Sequence, residues 1–259
     1  MAGALVVIPT YNERENLAET VARVRAAVPD AAVLVVDDDS PDGTGDLAER
    51  LADADVAVHV RHRRAKDGLG TAYLEAFGWA LERGFDPIVQ LDADGSHLPE
   101  QLPRLLAALE HTDASNGADL VIGSRWIPGG SIENWPRRRE LLSRWGSAYV
   151  RMALRLDTRD ATAGYRAFRA DALRRIGLED VHTRGYGFQV DMLWHAHRAG
   201  LTVVEVPVTF VERRRGRSKM NLAIVVEAML GVTGWSLKAL FGRLPQPARV
   251  REPAGRSRA

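Results

Sequence analysis

At 259 residues, 46% of them hydrophobic, the chain is long enough for one large domain or two small ones around a substantial core. A net charge of +1 provides no overall field that would favour nucleic acid as a partner. The absence of cysteine excludes disulfides and thiolate metal sites, and it fits a reducing compartment.

The two ends of the sequence indicate whether the chain has a membrane-spanning helix or a signal peptide. No uninterrupted apolar stretch approaches the roughly 20 residues of a spanning helix, since the nearest candidate, residues 222–241, is interrupted by Glu227 and Lys238. The chain starts with an apolar run and no cleavage site, so no signal peptide is predicted. We therefore expect a soluble or peripheral protein, with a disordered tail over the Pro-, Arg- and Gly-rich residues 242–259.

Short apolar runs alternate with helical patterns through the first half of the chain. The predicted strands are residues 4–8, 31–36, 56–60, 87–91 and 119–123. The predicted helices between them are residues 15–28, 44–51, 70–83 and 98–109. This alternation is typical of βαβ units, and unbroken apolar runs are typical of strands buried on both faces. The sequence therefore predicts an α/β fold with a mostly parallel central sheet and flanking helices.

The second half is less regular. Residues 125–140 are rich in Arg, Gly, Pro and Trp and are predicted as a long loop. Helices are then predicted over residues 141–156, 171–176 and 188–199, and strands over residues 164–168 and 202–210. Pro207 indicates an edge position for the last strand, because proline cannot donate a ladder hydrogen bond. A basic loop over residues 212–220 and a final helix follow.

Two acids one residue apart, Asp92 and Asp94, directly follow the apolar run that ends at Leu91. In open α/β sheets, ligands bind beyond the carboxyl ends of the strands. Two carboxylates placed there repel each other unless a cation joins them, and Mg²⁺ or Mn²⁺ shared with a substrate diphosphate is a common solution. Ser96 is a candidate for a weak or water-mediated metal contact, whereas His97 is interpreted as structural because Mg²⁺ prefers oxygen ligands.

Polar groups also follow the first two predicted strands. After the first strand, Tyr11 offers a ring face and Glu13 offers a carboxylate to a nucleoside. After the second strand, three consecutive acids at 37–39 precede a Pro-Asp-Gly turn, and a carboxylate there could accept the N–H donors of a base. The structural alternative for both segments is a capping loop, with Asp42 or Thr44 capping the next helix.

Basic groups suit an anionic ligand. The first group is residues 62–66, just before the Gly68–Gly70 segment, and the second is Arg125, after the fifth predicted strand. The others are residues 137–139 and the loop that contains Arg213 and Lys219. Guanidinium groups match phosphate oxygens, and a closing loop can exclude water from a reaction. The alternative for each group is a solvated basic loop. Their order along the chain favours one site for a metal-bound nucleotide diphosphate and an anionic second substrate.

The motifs together resemble the inverting family 2 glycosyltransferases of GT-A (Rossmann-like) fold, over roughly residues 4–222. The matching segments are Val7–Glu13, Val36–Thr44, Gly68–Ala72, Leu91–Asp94 and Gly123–Arg125. The Ser-Pro-Asp-Gly-Thr element at 40–44 and the late Arg…Gly-X-Ser-Lys loop narrow the resemblance to polyprenol-phosphate (dolichol-phosphate) mannose synthases. The form without membrane helices is similar to actinobacterial polyprenol monophosphomannose synthases.

The resemblance implies transfer of mannose from GDP-mannose to a polyprenyl phosphate, with inversion and with Mg²⁺ or Mn²⁺ as cofactor. The implied substrate contacts are Pro9, Tyr11, Glu13, Val36 and Asp38 for the guanosine, Asp92, Ala93 and Asp94 for the nucleotide and metal, Arg125 and Arg139 for phosphate groups, and Arg213 and Lys219 over the donor. The implied metal ligands are Asp92, Asp94 and Ser96, which stands where many relatives have Gln. The implied catalytic groups are Asp94, Arg125, Arg139 and Asp191, the last for orienting the sugar.

A lipid acceptor implies contact with a membrane. We expect a glycosyltransferase domain over residues 1–219 and an amphipathic helix over residues 220–241 that docks on the membrane surface or on a separate membrane-embedded partner protein. The expected location is the cytoplasm, peripheral at the inner face of the cell membrane. The alternatives are a transferase that uses a UDP-sugar (glucosyl or N-acetylglucosaminyl) on a lipid phosphate or glycan, and an inactive module that binds nucleotide or lipid phosphate.

Overall fold

A mostly parallel sheet forms the centre of the molecule. The computed structural model describes residues 3–110, 117–183, 185, 187–213, 229 and 231–237. The strands are β1 (Leu5–Thr10), β2 (Ala32–Asp37), β3 (Val58–His62), β4 (Ile88–Gln90), β5 (Leu120–Ser124), β6 (Ser131–Glu133), β7 (Arg166–Phe168), β8 (Val203–Pro207) and β9 (Thr209–Val211). Seven of them form one sheet in the order β3-β2-β1-β4-β7-β5-β8, and β6 pairs with β9 in a second, two-stranded sheet.

Helices cover both faces of the large sheet. They are α1 (Arg14–Ala27), α2 (Thr44–Ala54), α3 (Leu69–Glu82), α4 (Leu102–Glu110), α5 (Arg137–Leu154), α6 (Ala170–Ile176) and α7 (Phe188–Arg198). Residues 229 and 231–237 are also helical. Among the described residues, no helix combines the length and the apolar composition needed to cross a bilayer.

The core has two layers because successive side chains of a strand point to opposite faces. On β1, Leu5 and Val7 join a cluster with Phe77 of α3, whereas Val6 and Ile8 join a cluster on the face covered by α1, α2 and α4. Both faces of the strand are fully buried, which is why the predicted strands read as unbroken apolar runs. The predicted α/β fold with a mostly parallel sheet is confirmed.

The parallel register brings the strand ends together. Thr10 of β1 lies opposite Asp37 of β2, and Asp37 lies opposite His62 of β3. On the other side of β1, Val7 lies opposite Gln90 at the end of β4. Only β7 runs antiparallel, between β4 and β5. The segments that follow β1, β2 and β4 therefore leave the sheet at one edge.

Two predictions for the second half of the chain are wrong in detail. The segment 125–140 is not one loop, because it contains β6 and the first turn of α5. Pro136 precedes α5 with φ of −62°, and arginine is a good helix former, so residues 137–139 begin the helix. The single strand predicted over residues 202–210 is divided into β8 and β9, although Pro207 does lie on an edge strand as predicted.

The helix predicted over residues 98–109 begins with a 3-10 turn, Pro99–Gln101, before α4. The helix predicted over residues 220–241 lies outside the described residues except at positions 229 and 231–237, which are helical. The predicted tail over residues 242–259 lies wholly outside them.

A glycine permits the close contact between α3 and the segment before α7. A Cβ on Gly70 would lie 2.5 Å from the backbone oxygen of Thr183 and 2.9 Å from the Phe188 ring. Gly78 of the same helix has nothing within 4 Å of its Cβ position. Gly70, in the first turn of α3, is therefore enclosed by neighbours, whereas Gly78, in the middle of the same helix, is not.

We expect Gly70→Ala to destabilise the protein by about 1–3 kcal/mol, because the added carbon meets backbone that must shift. Gly78→Ala should stabilise it by about 0.5–1 kcal/mol, since alanine is the better helix former. Urea unfolding followed by far-UV circular dichroism measures both values. Equal midpoints for the two variants would contradict the close contact at Gly70.

Candidate active site

A cavity of about 700 Å³ opens at the edge of the sheet where β1, β2 and β4 end. The first group of its lining residues follows these strands and comprises Pro9, Thr10, Tyr11, Glu13, Asp38, Asp92, Ala93 and Asp94. The second group comes from later segments and comprises Lys66, Gly68, Leu69, Ala72, His182, Thr183, Gly185, Gly187, Arg213, Gly231 and Trp235. Eight of the predicted substrate contacts, Arg213 among them, thus line one cavity.

The loop after β1 is tied to the loop after β2. The Asn12 backbone N–H donates to the Ser40 hydroxyl at 3.0 Å, and the Glu13 N–H donates to the Thr44 hydroxyl at 3.0 Å. Tyr11 directly precedes Asn12, and the Lys66 ammonium lies 4.1 Å from the centre of the Tyr11 ring. The loop therefore holds an aromatic face and a cation together at one end of the cavity, a pairing that suits a stacked base.

The three consecutive acids after β2 have three different environments. Asp37 is structural, because its carboxylate accepts hydrogen bonds from the Thr10 hydroxyl at 2.9 Å and from the Ser40 hydroxyl at 2.6 Å. Asp38 is buried and lines the cavity. Asp39 is exposed, with a left-handed φ of 57°. Asp42 accepts the Thr44 backbone N–H at 3.0 Å within the turn, but the N-cap of α2 is Gly43, so the prediction that Asp42 or Thr44 caps this helix is wrong.

Arg63 of the segment after β3 holds Asp38 in place. Its guanidinium donates to the Asp38 carboxylate at 2.5 Å and to Glu75 of α3 at 3.1 Å, and its side chain is only 7% exposed. Burial raises the pKa of Asp38 above the ordinary aspartate value, and the Arg63 charge and hydrogen bond act in the opposite direction. One oxygen of the Asp38 carboxylate thus accepts a hydrogen bond from Arg63, while Asp38 also lines the cavity.

Asp92 follows β4 and is fixed at its backbone. Its N–H donates to His97 Nδ1 at 3.1 Å, and the Tyr73 hydroxyl lies 3.4 Å from its carboxylate. His97 stacks on Tyr165 with 4.9 Å between ring centres, so it is structural, as the sequence indicates. Removal from water raises the pKa of Asp92, the neighbouring Asp94 adds to this effect, and His97 opposes it.

Asp94 faces a cation from the last described loop. One of its oxygens accepts the Ser96 backbone N–H at 3.0 Å, and the other lies 3.0 Å from the Arg213 guanidinium. The Arg213 side chain is 19% exposed and that of Asp94 is 9% exposed. This pair connects the acidic end of the cavity to the segment that follows β9.

The donor set at Asp92 and Asp94 fits a hard divalent cation. Both carboxylates line the cavity, and the buried Ser96 hydroxyl beside them has no hydrogen-bond partner in the structure. Within the described residues, no group of three or more His, Cys, Asp or Glu side chains converges on one point. Two carboxylates leave positions for water and phosphate oxygens, which is the usual coordination of Mg²⁺.

Arg125, predicted to meet a phosphate, lies beside the cavity rather than on its wall. Its backbone N–H and two side-chain nitrogens donate to Asp160 at 2.7–2.9 Å, and a third side-chain bond reaches the Thr162 hydroxyl at 3.1 Å. Asp160 is fully buried and in turn has its own N–H bonded to Glu205. The guanidinium charge is balanced within the protein, and the phosphate contact stays a prediction.

Arg139 of α5 forms an ion pair with Glu212, the residue next to Arg213. Its guanidinium also lies 4.2 Å from the centre of the Trp135 ring. The pair anchors the start of the loop that carries Arg213 to the first turn of α5. Arg139 is therefore connected to the acidic end of the cavity through Glu212 and the adjacent Arg213, but it does not line the cavity. Its contact with a phosphate stays a prediction.

Asp191 of α7 supports a loop instead of entering the cavity. Its carboxylate accepts hydrogen bonds from the Thr183 hydroxyl at 2.8 Å and the Thr183 backbone N–H at 3.2 Å, while His195 lies 3.5 Å away. Asp191 is 4% exposed. It acts on the cavity through Thr183, which is a lining residue. The predicted direct contact with the sugar is not supported by this geometry.

The remaining predicted site residues do not reach the cavity wall or are not described. Val36 and Ser96 are buried and do not line the cavity, and Lys219 lies outside the described residues. The sequence interpretation missed Thr183, Gly187 and Trp235 as lining residues. The paired glycines at 185 and 187 were a signal for the first two, because a glycine allows backbone to approach a ligand. Nothing in the sequence indicates Trp235.

Comparison with known proteins agrees with this geometry. The family model described as glycosyl transferase family 2 matches residues 5–177. An undecaprenyl-phosphate mannosyltransferase of Micrococcus luteus is 57% identical over 91% of this chain and 94% of its own length. A polyprenol monophosphomannose synthase of Mycolicibacterium smegmatis is 52% identical over 92% of this chain and 89% of its own.

A solved structure has the same fold. Glucosyl-3-phosphoglycerate synthase from Mycobacterium tuberculosis, in complex with Mn²⁺, UDP-glucose and phosphoglyceric acid, superposes with a TM-score of 0.63. The match covers 94% of this chain and 81% of that chain at 21% sequence identity. The fold is therefore of the GT-A type, with a central sheet and flanking helices.

We expect Asp94→Asn to weaken Mn²⁺ binding by roughly ten-fold or more, because one of two anionic oxygen ligands becomes neutral. Asp39→Asn is the matched control, since Asp39 is exposed at a neighbouring strand end and asparagine tolerates its left-handed φ. Calorimetry with Mn²⁺ measures both variants. Similar losses in both, or no loss in Asp94→Asn, would contradict the metal assignment.

Proposed function

The chain belongs to glycosyl transferase family 2, and we propose that it transfers mannose from GDP-mannose to a polyprenyl phosphate, with inversion at the sugar carbon. The observation that carries the proposal is the cavity in which Tyr11 and Asp38 stand at one end and Asp92 and Asp94 at the other. Its size suits a nucleotide-sugar, because small-molecule sites commonly enclose about 300–1,000 Å³. The high identity to named mannosyltransferases supports the sugar and the acceptor.

The Tyr11 end suits the guanosine. A base that stacks on the Tyr11 ring, in the place over the ring that Lys66 takes in the structure, can present its N–H edge to Asp38. An ionised carboxylate accepts two such donors at once, which favours guanine over uracil because guanine has adjacent N–H groups on this edge. Pro9 and Glu13 line the same part of the cavity and support the ribose.

The acidic end suits the diphosphate through a cation. Asp92 and Asp94 would hold Mg²⁺ or Mn²⁺ at the cavity wall, and the unpartnered Ser96 hydroxyl, buried behind that wall, would reach the ion through a water molecule. When bound, the cation neutralises the charge that develops on the leaving diphosphate. Arg213 would act on the same charge, because its guanidinium, which pairs with Asp94 in the structure, matches phosphate oxygens bidentately.

The acceptor oxygen needs orientation more than deprotonation. A phosphate monoester is anionic at neutral pH, so no strong general base is required, unlike for a sugar hydroxyl. This agrees with Asp191, whose carboxylate is used by Thr183 and not turned into the cavity. Arg213, which lines the cavity, and Arg139, which pairs with the adjacent Glu212, would reduce the repulsion between two approaching anions.

A polyprenyl acceptor requires contact with a membrane. We place the protein at the cytoplasmic face of the cell membrane, bound peripherally and with room for a separate membrane-embedded partner protein.

The direct test is transfer of radiolabelled mannose from GDP-mannose into a lipid that extracts into organic solvent, with polyprenyl phosphate and Mn²⁺ present. We expect transfer by the wild-type protein and a loss of at least about a hundred-fold in Asp94→Asn. UDP-glucose and UDP-N-acetylglucosamine are run in parallel. Transfer from either of these instead of GDP-mannose would replace the proposed donor, and no transfer from any donor would favour a binding module.

A second experiment tests Asp38. Its raised pKa means that acceptance of base N–H groups is present above this pKa and is lost as the pH falls through it. Arg63 and Lys66 lower the pKa, whereas burial and Asp37 raise it. Arg63→Leu should therefore move the midpoint of GDP affinity against pH to higher pH, measured by calorimetry across the acid range.

Arg61→Leu is the control for that experiment, since Arg61 of β3 pairs with Glu75 and not with Asp38. The pH midpoint of GDP affinity in Arg61→Leu should remain close to that of the wild-type protein. If Arg63→Leu and Arg61→Leu have the same midpoint, Arg63 does not act through the Asp38 carboxylate.

A further inference from the structure

The outer face of α5 carries large apolar side chains in water. Leu141 is 67% exposed, Trp145 is 54% exposed and Met152 is 70% exposed. Leu142 is 37% exposed, and Tyr149 stacks on Trp145 with 6.0 Å between ring centres. We refer to Leu141, Leu142, Trp145, Tyr149 and Met152 as the α5 stripe.

The α5 stripe is one continuous surface. At 3.6 residues a turn, Leu141, Trp145 and Met152 lie within about 40° of arc, and the whole stripe within about 100°. The opposite face of the helix holds the residues that pack on the core, Ser147, Val150 and Leu154. From Leu141 to Met152 the stripe is about 17 Å long. The helix is therefore apolar on both its inner and its outer face.

Arginines border the α5 stripe. The sequence of α5 contains five arginines and a single acid, Glu140. Arg139 and Arg144 have carboxylate partners. Arg137, Arg138 and Arg151 are exposed and form no ion pair with any described residue. Apolar and aromatic side chains flanked by arginine are the composition of a helix that lies in a membrane interface.

We propose that the α5 stripe and its bordering arginines are the surface by which the protein binds an anionic phospholipid bilayer. The proposal deepens the proposed function, since a lipid acceptor requires such a surface, but the observations that carry it belong to α5 alone. Arginines such as Arg138 and Arg151 contact lipid phosphates, while Leu141, Trp145 and Met152 enter the region below them.

Charge distinguishes the bilayer from other occupants. In a symmetric dimer through this face, each copy would meet the same residues of the other, and Arg137, Arg138 and Arg151, which have no ion pair among the described residues, would repel their copies. Residues 242–259 contain five arginines and one glutamate, so this segment has the same charge sign as α5. A surface of opposite charge is required, and the anionic leaflet provides one.

The position on the fold connects this surface to the site. Arg139, in the first turn of the same helix, pairs with Glu212, and the next residue, Arg213, pairs with Asp94 in the cavity. A bilayer on the α5 stripe therefore lies at the end of the molecule where an acceptor phosphate has to reach the acids. The helix sets the distance between lipid surface and cavity by its own packing on the core.

Co-sedimentation of the full chain with lipid vesicles tests the proposal. The vesicles consist of phosphatidylcholine, with or without phosphatidylglycerol. We expect binding to the anionic vesicles and roughly ten-fold or more weaker binding by the double variant Leu141→Gln, Met152→Gln, because affinity scales with the apolar area inserted. Arg138→Gln and Arg151→Gln should each weaken binding by about five-fold, and added salt should weaken it further.

Matched controls lie elsewhere on the surface. Val56 is 94% exposed and far from α5 in sequence, so Val56→Gln removes an exposed apolar side chain without touching the stripe. Arg50→Gln removes an exposed arginine of α2. Both should bind vesicles like the wild-type protein. Unchanged binding by the α5 variants, equal losses in the controls, or no vesicle binding by the wild type would each overturn the proposal.

Two further readouts separate the outcomes. Light scattering measures the mass of wild type and double variant, and a dimer that the double variant loses would assign the stripe to a second copy and overturn the proposal. Transfer to a short, water-soluble polyprenyl phosphate should be the same in wild type and double variant. If neither transfers mannose but only the wild type binds vesicles, the proposed function fails and the membrane surface stands.

Discussion

The site depends on acidic side chains being gathered where parallel strands end, with Asp38 and Asp94 buried and Asp92 partly exposed beside them. Asp38 follows β2, and Asp92 and Asp94 follow β4, on either side of β1. Burial opposes ionisation, and the pKa of Asp38 and that of Asp92 are both raised. Each end of the cavity therefore carries its own cation, Arg63 on Asp38 and Arg213 on Asp94, because like charges this close destabilise the fold unless they are balanced.

The guanidinium groups of Arg63 and Arg213 differ in their burial and in their number of partners. Arg63 is 7% exposed and also bonded to Glu75 of α3, so it belongs to the framework and fixes the orientation of Asp38. Arg213 comes from the last described loop, after β9, and pairs with the acid that a metal would use. A divalent cation and an anionic ligand can replace this pair without leaving any charge unbalanced, which is the electrostatic basis of the proposed transfer.

The sheet and the acidic half of the site could be predicted from the sequence because both depend on local patterns. Unbroken apolar runs identify buried strands, and acids directly after them must lie at the sheet edge. What the sequence did not indicate depends on side-chain contacts. The Arg125 guanidinium pairs with Asp160, and the Asp191 carboxylate accepts hydrogen bonds from Thr183, and no pattern in the sequence announces either contact. The loop predicted over residues 125–140 was wrong because arginine both solvates loops and favours helices.

The central claim is that the acids at the ends of β2 and β4 bind one metal-nucleotide between them. A crystal structure with GDP and Mn²⁺, with anomalous scattering to locate the ion, tests this most directly. The account predicts an anomalous peak within ligand distance of Asp92 and Asp94, diphosphate oxygens on the same ion, and the guanine beside Tyr11 with its N–H edge on Asp38. A manganese peak away from both aspartates, or a guanine outside this cavity, would contradict it.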